Sequence, residues 1–466
     1  MKLSKKFAVA VASSALLGSL GLAGAVNAAS TTITAGGATF PLNLMESCRA
    51  SFAGDSTSNS NGDKVDYTGV GSGTGRTNFY KNTYDFAMSD SIWKTSDTSY
   101  RSSFVFMPLV GGAIDVAYNL KGIKPEGTVL QMSSATIAKI FAGQIKTWND
   151  AAIKADNPVK AQPKLSALNA AAKVALAKGR KAKTATLAVS LKSSVVTKKT
   201  KNLVITSTLD GGKTVKKIYN AKPKVGTITL TVPYAVGTVY TIKFDKATLG
   251  NVSLDATTVV LPDTPITVYH RKDTSGTTNN FANYLNKIEP TIWTKATNDA
   301  FGSAFPGTLP TDGSFVAAQG NDGVANGVMG KDGGIGYAEV SFVNERQSAG
   351  KSITAVKVKN GAGEYLPGSS AAAALFIAQA TVEPTTGVVT FNYATTASGA
   401  YPITAVSYGM ANTAANGTTA KNAVAKNYVN YVLETCAPAV AEIKGYSALP
   451  ANIVAISKAI AAKIGA

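Results

Sequence analysis

The chain has 466 residues, a formal net charge of +19, one histidine and two cysteines, and 45% of its residues are hydrophobic. This length is enough for about two to four domains with a substantial buried core. A single histidine and two thiols exclude a His-based metal cluster, and no catalytic triad is expected.

Residues 1–28 have the pattern of a secretory signal peptide. Lysines precede an apolar run from Phe7 to Val26, and Val26-Asn27-Ala28 forms a small-residue cleavage site. An uncleaved membrane anchor is the alternative, but the Ala-, Gly- and Ser-rich run directly before this site favours cleavage. No cysteine stands there, so a lipid anchor is not indicated. We expect a secreted, extracellular or periplasmic, envelope-associated protein, in which the cysteine pair predicts a Cys48–Cys436 disulfide.

Strands alternate with helices in the first part of the chain. The pattern predicts strands at residues 31–33, 64–68, 84–90 and 104–118, and helices at residues 42–52, around Phe79 and Tyr80, and after a Ser133 or Ser134 cap. Polar turns follow three of the strands, at residues 36–41, 69–75 and 89–90. Alternation of this kind predicts an α/β sheet, in which ligands bind beyond the carboxyl ends of the strands. We therefore expect the three turns to share one ligand site.

The composition changes at Ala161. An Ala- and Lys-rich stretch leads into short alternating runs at residues 184–191, 203–208, 213–219, 226–232, 239–244 and 252–260. This spacing predicts a small all-β, immunoglobulin-like sandwich, inserted as residues 161–258. Between Ala161 and Gly250, seventeen Lys or Arg residues are opposed only by Asp210 and Asp245. Most of the net charge of the chain therefore belongs to this insert.

The α/β pattern resumes at Thr264 with a strand, a tight turn and a helix start. The turn is Asp273-Thr274-Ser275-Gly276-Thr277-Thr278, and Arg271 directly precedes it. The first amides of a helix lack internal partners, so they bind anions, and Arg adds a planar two-pronged donor. The alternative is an ordinary helix cap beside a surface arginine. Further on, the pattern predicts a helix start at residues 320–324, a strand at 333–337, and helices at 371–380, 427–433 and 453–464.

Two glycine patterns do not match nucleotide-binding motifs. Gly71, Gly73 and Gly75 are spaced by two, so the dinucleotide fingerprint is absent. Gly212-Lys213-Thr214 resembles the end of a P-loop, but Ser207 stands where the leading glycine belongs. No nucleotide cofactor is expected.

Seven stretches, taken together and in order, resemble the phosphate-binding protein of the phosphate-specific ABC importer, a periplasmic or extracellular solute-binding protein. They are Gly37-Ala38-Thr39-Phe40-Pro41, Gly69-Val70-Gly71-Ser72-Gly73, Asp85-Phe86-Ala87-Met88-Ser89-Asp90, Ala117-Tyr118-Asn119-Leu120, Lys146-Thr147-Trp148-Asn149-Asp150, His270-Arg271-Lys272-Asp273 through Thr277, and Gly334-Ile335-Gly336-Tyr337. The resemblance covers residues 31–160 and 262–466.

The resemblance implies a two-lobed, periplasmic-binding-protein-like fold. Lobe I would comprise residues 29–108 and 337–466, and lobe II residues 109–160 and 259–336. By the same resemblance, the lobes enclose inorganic phosphate and deliver it to an ABC permease without catalysis. The first lobe would contribute Thr39, Phe40, Ser72 and Asp90, and the second Arg271, Ser275, Gly276 and Thr277, with Asp273 holding the arginine. No metal or other cofactor is implied.

Asp90 is the most informative member of this set. A carboxylate only accepts hydrogen bonds, so it suits an anion that still carries a proton. Phosphate carries such a proton at neutral pH and sulfate does not, so Asp90 would discriminate between them. The alternative is an acid that caps a turn.

The insert at residues 161–258 departs from the family pattern, which has a short loop there. Its lysines predict attraction to anionic cell-envelope polymers, with a solvated surface module as the alternative. Few aromatic residues interleave with these lysines, so a specific nucleic-acid site is not expected. Two further functions stay open: a phosphatase or phosphotransferase, and a surface adhesion or envelope-binding protein in which the insert has the main role.

Overall fold

The computed structural model describes residues 29–92, 103–158, 259–413 and 417–466, together with eight backbone strands between residues 160 and 257. The predicted signal peptide, residues 1–28, lies outside the described residues. Within the described ranges, no helix has both the length and the apolar character needed to cross a membrane.

The part of the chain before the insert contains both strands and helices. In order they are β1 (Thr32–Gly37), α1 (Leu42–Gly54), β2 (Lys64–Gly69), α2 (Ser72–Tyr80), β3 (Phe86–Ser89), β4 (Phe104–Asn119), β5 (Gln131–Met132), α3 (Ser134–Phe141) and α4 (Ala151–Asp156). Ser133 caps α3 by accepting a hydrogen bond from the Thr136 amide. The predicted elements of this part are confirmed.

The described part of the segment between residues 160 and 257 consists of β-strands. Its strands are β6 (Lys160–Ser166), β7 (Ala172–Lys178), β8 (Thr184–Leu191), β9 (Leu203–Thr208), β10 (Thr214–Tyr219), β11 (Gly226–Pro233), β12 (Val239–Phe244) and β13 (Ala247–Thr257). They form two antiparallel sheets, with orders β10-β9-β12-β13-β6 and β11-β8-β7. The immunoglobulin-like packing of two such sheets stays a prediction.

Two parts of the predicted insert differ from the observed strands. No strand was predicted in the Ala- and Lys-rich stretch at the start of the insert, yet β6 and β7 lie there. The last strand was predicted at residues 252–260, whereas β13 begins at Ala247 and ends at Thr257. Gly250 and Asn251 are turn-type residues, yet here they pair with Ile242 and Thr241 of β12, beside a register irregularity.

The chain after the insert returns to mixed α/β structure. The elements are β14 (Thr267–Arg271), α5 (Gly276–Ile288), α6 (Phe301–Ala304), β15 (Phe315–Ala318), α7 (Gly320–Gly330), β16 (Gly334–Glu339), α8 (Val340–Ser348), β17 (Thr354–Ala355), β18 (Lys357–Lys359), β19 (Tyr365–Leu366), α9 (Ser370–Ile377), β20 (Thr381–Val382), β21 (Val389–Thr390), β22 (Thr404–Asn412), α10 (Thr419–Tyr431), a π-helical turn (Val432–Cys436), α11 (Ala437–Val440), β23 (Tyr446–Ser447) and α12 (Ala451–Ala461).

A ten-stranded sheet of order β15-β14-β16-β4-β22-β3-β1-β2 links the two ends of the chain, with β17 and β23 also paired to β4. The long strand β4 belongs to both halves of this sheet. Its residues from Phe104 to Ala113 pair with β22, and those from Ile114 to Asn119 pair with β16. The predicted lobe boundaries, with a first change of lobe after Pro108, stay predictions.

The disulfide predicted between Cys48 and Cys436 is present. Cys48 lies on α1 and Cys436 at the end of the π-helical turn, and both side chains are buried. The bond therefore fastens the beginning of the described chain to a segment 388 residues later.

Candidate anion-binding site

The predicted strand, turn and helix around residues 271–278 are observed. β14 ends at Arg271, and α5 begins at Gly276. Ser275 is the N-cap, and its hydroxyl accepts a hydrogen bond from the Thr278 amide at 3.1 Å. The Ser275 amide already donates to the Asp299 carbonyl. For an anion, Ser275 therefore offers its hydroxyl proton and no backbone donor.

Arg271 is buried and held from two sides. Its Nε donates to Asp273 Oδ1 at 2.8 Å, and its Nη2 donates to Asp273 Oδ2. The remaining Nη1 donates to Thr277 Oγ1 at 3.2 Å. Burial alone would raise the pKa of Asp273, but the hydrogen bonds and charge of Arg271 bring it below its usual value. Asp273 is therefore ionised, and the guanidinium is fixed with one edge towards the start of α5.

Ser72 and Asp90 meet this helix start from the other side. Ser72 is the first residue of α2, and its hydroxyl accepts from the Asp90 amide at 3.1 Å. A Cβ added to Gly276 would lie 2.5 Å from Ser72 Oγ and 2.6 Å from Asp90 Cβ. Only glycine permits so close an approach. The turns after β3 and β14 are thereby brought together.

Asp90 is buried, with 3% of its surface exposed. Burial raises its pKa to about 7, against the opposing effects of Ser407, Arg271 and Ser72. Its Oδ1, like the Ser407 hydroxyl, has no hydrogen-bond partner of ordinary length among the described residues. Asp90 therefore has one carboxyl oxygen without a hydrogen-bond partner among the described residues, and its carboxyl group interacts electrostatically with Arg271.

Thr39 and Phe40 form the turn after β1. The Thr39 hydroxyl accepts hydrogen bonds from the Asn321 amide nitrogen at 3.4 Å and from Asn321 Nδ2 at 3.0 Å. The Phe40 ring is buried in edge-to-face contact with Tyr446. Phe40 can therefore reach an anion only through its backbone.

Several backbone amides at these turns have no acceptor among the described residues. Those of Thr39, Phe40, Ser72, Gly276 and Thr277 are among them. A buried N–H without a partner is costly, so such groups are rare in proteins. Together with Arg271 they make a set of donors suited to a small oxyanion.

Two parts of this region were not assigned from the sequence. Asn321 lies at the predicted helix start of α7, but nothing local indicates that it contacts Thr39, 282 residues away. The second part is a buried ion pair between Arg76 on α2 and Asp299, at 2.7 Å. Asp299 also accepts from the Ser91 hydroxyl at 3.0 Å, next to Asp90. No sequence pattern marked Asp299, because this pairing depends on the folded arrangement.

Curated relatives with similar sequences are named phosphate-binding proteins. A PstS protein of Xylella fastidiosa is 25% identical over 350 residues, covering 74% of this chain and 64% of that protein. The chain thus spans less than two thirds of that relative's length. A PstS protein of Haemophilus influenzae is 24% identical over 428 residues, covering 92% of this chain and 91% of that protein.

Solved structures share the fold. A periplasmic phosphate-binding protein bound with phosphate superposes with a TM-score of 0.53 at 18% identity, covering 92% of this chain and 93% of that one. A phosphate-binding protein from Stenotrophomonas maltophilia gives 0.52 at 16% identity, with the same coverage. The profile of the PBP superfamily domain matches residues 23–248 and 213–435. This match covers most of the sequence, and the chain therefore belongs to the PBP superfamily.

Proposed function

We propose that this protein captures inorganic phosphate between two lobes and delivers it to an ABC importer at the membrane. The proposed ligand groups are Thr39, Phe40, Ser72, Asp90, Arg271, Ser275, Gly276 and Thr277, with Asp273 as the support of Arg271. The observation that carries the proposal is the set of amides without acceptors among the described residues, at turns that also hold one buried guanidinium. The names of the relatives agree with it.

The donor set favours a tetrahedral oxyanion over a carboxylate. Amides and hydroxyls approach from three separate turns, whereas a planar carboxylate presents only two oxygens. Asp90 adds an acceptor, which favours an anion that keeps a proton at neutral pH. Phosphate and arsenate meet both conditions, and sulfate meets only the first.

Calorimetric titration with phosphate, sulfate and arsenate tests this function. We expect tight binding of phosphate and arsenate and much weaker binding of sulfate. Arg271→Gln should abolish binding, because it removes the guanidinium that contacts this turn. The matched control is Arg49→Gln, since Arg49 pairs with Glu46 on α1 and should bind as the wild type does. Absence of phosphate binding by the folded wild type would refute the proposal.

An enzymatic role has weaker support. The relatives are named as binding proteins. The ring of His270 contacts the Arg271 carbonyl and the Phe301 ring, and no described serine is recorded as its hydrogen-bond partner. We propose that the protein performs no catalysis. Steady turnover of a phosphomonoester by the purified protein would contradict this.

The basic insert supports a second proposal, retention at an anionic cell envelope after removal of residues 1–28. Its support is the excess of Lys and Arg between Ala161 and Gly250, and such attraction weakens with salt. Envelope fractions should retain the full chain at low salt and release it at high salt. Retention that does not respond to salt would refute an electrostatic role of the insert. It would not contradict the proposal that the protein binds phosphate.

A further inference from the structure

Asn321 lies buried at the point where three elements of the site converge. It is the second residue of α7, and its side chain is inaccessible to solvent. Its Nδ2 lies 3.0 Å from Thr39 Oγ1 and 3.5 Å from Thr277 Oγ1. These two threonines come from the turns after β1 and β14. One side-chain amide therefore bridges hydroxyls from both sides of the candidate site.

The orientation of this amide is fixed by its third contact. Asn321 Oδ1 accepts a hydrogen bond from the backbone amide of Glu339 at 3.1 Å. A backbone N–H can only donate, so the oxygen must face Glu339 and the NH₂ group must face the threonines. Both hydrogens of the NH₂ group are then directed at hydroxyl oxygens. Neither is left to contact an anion directly.

This orientation determines what each hydroxyl can do. A threonine hydroxyl has two acceptor positions and one proton to donate. Thr39 Oγ1 accepts from the backbone N and the Nδ2 of Asn321, and Thr277 Oγ1 accepts from Asn321 Nδ2 and Arg271 Nη1. Both acceptor positions are thus filled on both residues. No described residue accepts either hydroxyl proton, so both are available to the anion.

We propose that Asn321 is a positioning residue that turns the hydroxyls of Thr39 and Thr277 into fixed hydrogen-bond donors for the bound oxyanion. The proposal rests on the proposed function. Without the Asn321 side chain, Thr39 Oγ1 keeps only the backbone N of residue 321 as a donor and Thr277 Oγ1 keeps only Arg271 Nη1. One acceptor position of each hydroxyl is then empty, so the proton is less strictly directed at the ligand and part of its binding contribution is lost. The effect depends on the oxygens of the anion and not on its proton. Phosphate and arsenate should therefore be affected equally.

A double-mutant cycle on the full chain tests this role by calorimetry with inorganic phosphate. We expect Asn321→Ala to weaken phosphate binding about tenfold, the equivalent of one to two ordinary hydrogen bonds. In the wild type, Thr277→Val should cost about tenfold as well. In the Asn321→Ala background, Thr277→Val should cost only about twofold to threefold, because the hydroxyl is then less strictly oriented. Thr39→Val should likewise weaken phosphate binding less in the Asn321→Ala background than in the wild type.

Ser72→Ala is the matched control, because its hydroxyl contacts Asp90 and not Asn321. Its cost should be the same in both backgrounds. If Thr39→Val and Thr277→Val also cost the same in both backgrounds, the proposal would be overturned. A merely structural asparagine would weaken all contacts alike. If Asn321→Ala does not fold, Asn321→Ser takes its place in the cycle. Failure of the wild type to bind phosphate would instead refute the proposed function.

Discussion

At the scale of single residues, a buried carboxyl group beside an anion site needs a reason, because it repels the ligand. Asp90 is such a group, with one oxygen unpartnered and a pKa raised to about 7. An anion that donates a proton to this oxygen satisfies it, whereas an unprotonated anion leaves it unpaired. We therefore expect this one oxygen atom to determine the selectivity for phosphate over sulfate.

Asp90→Asn should change selectivity more than it changes anion binding. The amide can donate to sulfate and removes the charge repulsion, so sulfate affinity should rise about tenfold, while phosphate affinity falls about tenfold. Calorimetry with both anions at pH 8 measures the ratio. An unchanged ratio would rule out the proposed role. Asp66→Asn, at an exposed position of β2, is the control and should bind both anions as the wild type does.

The wild type should itself become less selective in acid. Below about pH 7 the Asp90 carboxyl is protonated in the free protein, so it can donate a hydrogen bond to sulfate. Sulfate affinity should therefore rise between pH 8 and pH 6 in the wild type. In Asp90→Asn it should stay level over the same interval, because the amide does not titrate. A parallel rise in both proteins would assign the pH effect to another group.

The role of Asn321 shows why part of the site escaped prediction. Arg271 and Ser275 were identified because they lie within a few residues of one predicted helix start, and the resemblance implied the role of Asp273. Asn321 acts through Thr39 and Thr277, which are distant in sequence. The residues next to Asn321 indicated the start of a helix. Which hydroxyl groups lie beside that helix start depends on the folded chain.

At the scale of elements, local signals predicted the strands and helices that begin or end at caps and turns. The start of α5 at Gly276 and of α3 at Ser134 follows from serine N-caps at Ser275 and Ser133. β6 and β7 were not assigned, because alanine and lysine favour helices in isolation. Pairing with β13 and β8 overrides that preference.

The long strand β4 contains a second buried acid, Asp115, whose two oxygens have no hydrogen-bond partner of ordinary length among the described residues. Burial raises its pKa to about 8, although the nearby Gly368 backbone lowers it. The folded state therefore holds a proton that the unfolded chain releases near pH 4. Between about pH 4 and pH 8, this group makes the free energy of unfolding fall as pH rises.

Asp115→Asn should remove this contribution. Wild type and variant should unfold at similar urea concentrations near pH 4, and at pH 8 the variant should be more stable, by up to about 5 kcal/mol. Urea unfolding at both pH values, with equal slopes checked, measures the difference. Asp66→Asn should keep the pH dependence of the wild type. A constant difference between Asp115→Asn and wild type across this range would contradict the assignment.

At the scale of the whole molecule, two features connect distant parts of the chain. β4 pairs with strands of both halves of the large sheet, and the Cys48–Cys436 disulfide joins the two ends of the described chain. The alternation of strands and helices predicted the α/β architecture, and the resemblance of short motifs in order implied a two-lobed fold. The packing of the insert was beyond such reasoning, because the family pattern has only a loop there.

The insert leaves and rejoins the α/β part at neighbouring points. Lys160 of β6 is the register partner of Thr257 of β13, and Val260 forms a bridge with Lys124 directly afterwards. Paired antiparallel strands lie about 5 Å apart, so a turn of a few residues can replace residues 161–256. The ends of the α/β part would then meet without strain.

A chain with this replacement should fold and bind phosphate within about twofold of the wild-type affinity, because every proposed ligand residue lies outside the insert. Calorimetry measures the affinity, and circular dichroism with a thiol assay verifies folding and the disulfide. The same variant should lose salt-sensitive retention on envelope fractions, since its excess of positive charge is gone. Weak phosphate binding by a folded, disulfide-bonded variant would show that the insert shapes the cleft. Undiminished retention would assign envelope contact to the α/β part.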